Sequence, residues 1–113
     1  IGEVTKERLE KQHMADAIVL EVIKEEGWYE KVFQSFSIMT GVNTTAVKGD
    51  GRVYGELVGL RIYDSSDIMT AGWTHLPYEV LQKISTRIVN EVPGVSRVVY
   101  DITTKPPATM EWE

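Results

Sequence analysis

Residues 42–63 read VNTTAVKGDGRVYGELVGLRIY, two extended runs on either side of Gly49, Asp50 and Gly51. In the second run Val58, Leu60 and Ile62 fall on one side of an extended chain, while Leu57 and Tyr63 fall on the other. A glycine-rich connection between two such runs is a hairpin signal, because glycine supplies the positive φ of tight turns without steric cost. A two-stranded antiparallel unit is therefore the anchor of the fold.

Upstream, VFQSFSIM at 32–39 is a further extended run, with Phe36 and Ile38 on one side and Phe33 and Met39 on the other. Together with 42–47 and 52–63 it predicts a meander. Before it lies a helix running to about Glu26, with Thr5 as N-cap, Glu7 in the first turn and Gly27 at a left-handed C-cap. Its apolar positions include Leu9, Met14, Ala17, Ile18, Val22 and Ile23, spaced loosely as on a helix.

Downstream, SSDIMTAGWTHL at 65–76 has no periodicity and reads as a loop of functional length. Pro77 suits a first helical position, and Val80, Leu81, Ile84, Ile88 and Val92 mark one face of a second helix stopped by Pro93 and Gly94. VSRVVYDI at 95–102 is a final strand, apolar on both sides. The order predicts a single α+β domain over 1–113, with two layers: two main helices on one face of a three- to four-stranded, mostly antiparallel sheet. Two helices cover only one face. The other, carrying Leu57, Tyr63 and part of the last strand, is expected to meet a subunit or a further domain.

The chain has 113 residues, 12 basic and 17 acidic, for a formal charge of −5. That balance opposes non-specific attraction to nucleic acid or anionic lipid. It contains no cysteine, which excludes disulfides, thiolate metal sites and a cysteine nucleophile. No apolar run approaches the roughly 20 residues of a membrane span, and IGEVTKERLEK has no signal-peptide block, so a soluble, cytoplasmic protein is expected. Residues 1–4 read as the end of a connection.

The terminal KPPATMEWE, residues 105–113, combines stiffness with chemistry. Pro106 and Pro107 fix φ and favour an extended segment, which reduces the ordering cost of binding. Lys105 offers a point charge for a phosphate, whereas Thr109, Glu111 and the terminal carboxylate accept hydrogen bonds. The simpler alternative is that Trp112 docks on the core and the charges solvate an ordered end.

Other candidates have ordinary structural readings. GDGR at 49–52 is a tight turn, or else a turn whose N–H groups stand beside the Arg52 fork and suit a phosphate. Its glycines miss the dinucleotide spacing and lie between strands, so a Rossmann site is excluded. His13 and His75 are far apart and in no metal-ligand spacing, and no motif gives Ser65, Ser66 or Asp67 a partner histidine. Arg61, Lys83 and Arg97 read as solvated or salt-bridging. A KH-like RNA module lacks its G-x-x-G clamp and conflicts with the acidic charge.

KPPATMEWE with the preceding VPGVSRVVYDITT, GDGR, SSDIMTAGW and GEVTKERL at 2–9 resembles, over nearly the whole chain, the C-terminus of the GMP synthetases. These enzymes aminate xanthosine monophosphate (XMP) to GMP. The resemblance implies a dimerisation domain, hence a homodimer, that helps bind XMP. It implies that Arg52 and Lys105 contact the nucleotide phosphate, that Glu111 stands near the purine and that Thr109 is a further contact. No catalytic residue, metal or cofactor is implied in this domain. ATP and Mg belong to an ATP-pyrophosphatase domain whose SGGVDS-type loop is absent from this sequence, so these residues alone do not complete the reaction. A glutaminase subunit or domain is a further implied partner. Gly72 stands where bacterial members often carry aspartate, and Met110 where they carry isoleucine or threonine. The rival reading is a non-enzymatic homodimerisation module with a purely structural tail.

Overall fold

The computed structural model describes residues 5–32, 34–48, 51–63 and 74–103. Helix α1 spans Lys6–Glu25, strand β1 Gln34–Lys48, strand β2 Gly51–Tyr63, helix α2 Tyr78–Glu91 and strand β3 Val95–Tyr100, with a short 3-10 turn at Tyr29–Lys31. The expected ends of α1 are present. The Thr5 hydroxyl accepts the Arg8 N–H at 3.2 Å, and Gly27 follows the helix at φ 78°. Pro77 lies one position outside α2, as its N-cap with ψ 149°, and Gly94 turns the chain at φ 79°.

The sheet has the order β1-β2-β3. β1 and β2 are antiparallel from Gln34↔Tyr63 to Lys48↔Gly51, as the expected hairpin requires, with Gly51 already the first residue of β2 rather than part of the connection. The expected meander is corrected: 32–39 and 42–47 do not form separate strands, because β1 runs through both. Thr40, Gly41 and Val42 form a bulge between the pairs Met39↔Val58 and Asn43↔Glu56. Local groups satisfy the interruption, so the ladder resumes. The Thr40 hydroxyl donates to the Leu57 carbonyl at 2.6 Å, the Gly41 N–H donates to Glu56 Oε2 at 2.6 Å, and Arg8 Nη2 donates to the Met39 carbonyl and to Glu56.

β3 joins the other edge of β2 in parallel, from Glu56↔Val95 to Leu60↔Tyr100. Its first residues cross close over Gly55. The Glu56 N–H donates to the Gly94 carbonyl at 2.7 Å, and the Ser96 hydroxyl donates to the Gly55 carbonyl at 2.7 Å. A register shift beside Leu57 leaves Ser96 as an extra residue. Val95 therefore joins Val98 and Tyr100 at the core despite its odd spacing from them.

Both helices pack on the face defined by Val58, Leu60 and Ile62. α1 contributes Ala15, Ile18, Val19, Val22 and Ile23, and α2 contributes Val80, Ile84 and Ile88. Leu9, Met14 and Ala17, expected on the apolar side of α1, are exposed, since the sheet and α2 cover a narrower stripe than the sequence offers. Glu21 pairs with Arg87 and Glu25 with Lys83, so the helices run antiparallel. Asp16 ties α1 to β1 by accepting the Ser37 N–H at 2.7 Å and its hydroxyl at 2.5 Å. No helix among the described residues is long and apolar enough to cross a membrane.

The second sheet face departs from its expected openness. Tyr63 and Arg61 on it are 1% and 2% exposed within the chain itself, whereas Val99 is 38% exposed.

A Cβ at Gly55 would lie 2.6 Å from the Gly94 carbonyl oxygen. Gly55→Ala is expected to push β3 off β2 and to lower stability by about 1–3 kcal/mol, measured by chemical denaturation. Unchanged stability would show that the crossing is not this tight.

Candidate functional site at the carboxyl ends of two strands

β2 and β3 are parallel neighbours, so both end on the same side of the sheet. Residues 64–73 leave from the end of β2, and residues 104–113 follow the end of β3. The residues from which both segments continue thus share one end of the domain.

The described residues that flank both segments are bonded to the sheet. Leu60 and Ile62 present successive carbonyls along the same edge of β2; the Asp101 N–H binds the first at 2.8 Å and the Thr74 N–H the second at 2.7 Å. Thr74, the residue that follows 64–73, is 1% exposed, and its carbonyl accepts the Tyr100 hydroxyl at 2.6 Å. Thr74 is therefore bonded to both strands. The Thr103 N–H donates to Asp101 Oδ1 at 2.9 Å, which gives the start of the tail a side-chain-closed turn.

Arg61 organises this end. Its Nη1 donates to the Asp101 carboxylate, its Nη2 to the Thr103 carbonyl at 3.2 Å, and its guanidinium lies 4.9 Å from the centroid of the Tyr63 ring. The salt-bridging expectation for Arg61 holds; the solvated one does not. The sequence carried a signal in ELVGLRIY, where an arginine interrupts a strand apolar on both sides, but only the fold supplies its partner.

Of the expected site residues, Lys105, Thr109 and Glu111 lie outside the described residues, as do Ser65, Ser66, Asp67, Gly49 and Asp50. Arg52 is exposed near the start of β2, opposite Val47. From Arg52 to Leu60, beside the tail's root, the strand advances about 26 Å. Arg52 and the root of the tail thus occupy opposite ends of β2. His13 and His75 are exposed, and no group of three or more potential metal ligands exists among the described residues. Lys83 bridges to Glu25 and Glu26, and Arg97 donates to the Thr45 carbonyl at 3.2 Å.

The geometry defines an α+β domain in which the residues before 64–73 and before 104–113 lie at one end of a mixed sheet. The sequence matches the family described as GMP synthase C terminal domain over residues 21–112. This chain belongs to that family. It is 59% identical over 113 residues to the GMP synthase (glutamine-hydrolyzing) of Caldanaerobacter subterraneus subsp. tengcongensis, covering 100% of this chain and 22% of that protein. The proteins of the same name from Desulfotalea psychrophila and Campylobacter jejuni subsp. doylei are 56% and 53% identical, with the same coverage. The chain spans about a fifth of the length of these curated relatives, 22% in each case.

Tyr100→Phe removes the hydroxyl that secures the Thr74 carbonyl. A loss of about 1 kcal/mol in unfolding free energy is expected, with faster hydrogen exchange at Thr74. Wild-type exchange there would show that the loop end is held by other groups.

Proposed function

We propose that this is the dimerisation and nucleotide-binding domain of a GMP synthetase, a ligase of purine nucleotide biosynthesis, helping to hold XMP during its ATP-dependent amination to GMP. The observation that carries the reading is the extent of the family match: residues 21–112 include Arg52, Lys105, Thr109 and Glu111. In this reading Lys105 and Arg52 attract the nucleotide phosphate, and Glu111 accepts hydrogen bonds from the N–H groups of the xanthine, with Thr109 as a further polar contact. The domain positions substrate and breaks no bond. ATP and Mg act in the ATP-pyrophosphatase domain, and ammonia comes from a glutaminase domain or subunit.

The second member of the dimer enters through the hairpin. Val47 is 71% exposed and Tyr54 73%; they stand on the same side of the β1-β2 ladder beside Arg52. A second copy covering these side chains would remove apolar surface from water. It also gives Arg52 a route to a nucleotide, because the root of its own chain's tail lies at the far end of β2. In this reading Arg52 serves the partner's tail across the two-fold axis. The alternative, a homodimerisation module with a structural tail, predicts no effect of tail substitutions on nucleotide affinity.

In the full-length enzyme Lys105→Ala is expected to weaken XMP binding by about 1.5–3 kcal/mol, read by nucleotide titration. Unchanged affinity would favour the structural tail. Arg52→Ala and Lys105→Ala chains, each defective alone, are expected to recover about one quarter of wild-type sites when mixed and reassociated in equal amounts, as seen in active-site titration. No recovery would place Arg52 with the tail of its own chain.

A further inference from the structure

The tail leaves the sheet through residues 101–103, and one buried guanidinium holds both ends of that short stretch. Arg61 grips the Asp101 carboxylate with Nη1 and the Thr103 carbonyl with Nη2, while Asp101 itself accepts the Thr103 N–H. Thr103 stands two residues before Lys105. Arg61 is 2% exposed, and its Nε has no hydrogen-bond partner among the described residues. Burying a charged pair costs desolvation that an apolar residue of similar volume would not incur, so such a pair is weak support for stability. It is strong support for direction. A planar fork can bond two acceptors at a fixed angle, which the single point charge of lysine does not reproduce.

We propose that Arg61 is a positioning residue for nucleotide binding. By holding Asp101 and Thr103 together it fixes residues 101–103, the stretch from which the chain continues to Lys105 and Glu111. Arg61 need not touch the nucleotide to do this. The inference rests on the reading of the tail as a nucleotide-binding arm.

The test uses the full-length enzyme, with XMP and ATP affinities measured separately in wild type, Arg61→Lys, Lys105→Ala and the double variant. Misplacing a binding group by about 1 Å is costly, so Arg61→Lys is expected to weaken XMP binding about tenfold and to leave ATP affinity unchanged. In the Lys105→Ala background the same change is expected to add less than about twofold, because the two residues act through one arm. Wild-type XMP affinity in Arg61→Lys, an equal loss for ATP, or full additivity with Lys105→Ala would each overturn the proposal. If Lys105→Ala alone leaves XMP affinity unchanged, it is the reading of the arm that fails. Asp101→Asn, which keeps the side-chain shape, is the second variant and should lower XMP affinity in the same direction. If both Arg61→Lys and Asp101→Asn fail to fold, the pair is a stability element and the proposal is overturned.

Discussion

β2 carries hydrogen-bonding obligations on both edges, and the arrangement of the domain follows from how they are met. One edge is satisfied by its hairpin partner β1, the other by β3 running parallel to it. A parallel neighbour requires a long crossover, and residues 64–94 with α2 provide it. Because β2 and β3 point the same way, their last residues, from which 64–73 and the tail continue, lie at the same end of the sheet. The location of the candidate site is thus a consequence of strand direction.

Close approach makes this arrangement possible at one end, and charge organises it at the other. At the start of β3 the missing side chain of Gly55 lets the Gly94 carbonyl approach where a Cβ would force it away. At its end, Arg61, Asp101 and Thr103 form a compact polar cluster against Tyr63. Between these ends the apolar side chains of β2 face the helices, and the ion pairs linking α1 to α2 are partly exposed and contribute little. Apolar burial supplies the cohesion; the polar contacts decide where chain segments leave.

Much of the fold was legible in the sequence because its signals are local. Thr5, Gly27 and Gly94 act on the turns next to them, and the alternation of Val58, Leu60 and Ile62 needs only the pleat of an extended chain. The break between 32–39 and 42–47 misled for the same reason. Thr40 and Gly41 interrupt the pattern as a turn would, and their accommodation inside one strand depends on Glu56 and Arg8, which are distant in sequence. The apolar positions of α1 were overcounted because periodicity gives a helix's apolar width without telling how much of it neighbours will cover. Of the candidate site, Arg52 was legible as an exposed cation beside a turn, but its distance from the tail's root was not.

By itself the sequence determined the elements, their caps, the hairpin and the chemical character of the tail, since each depends on residues a few positions apart. The tertiary structure alone decided that β3 lies parallel to β2, that β1 passes unbroken through its bulge and that Arg61 is buried. The physical reason is that burying a guanidinium requires an acceptor brought close to it, and Asp101 stands 40 residues away along the chain.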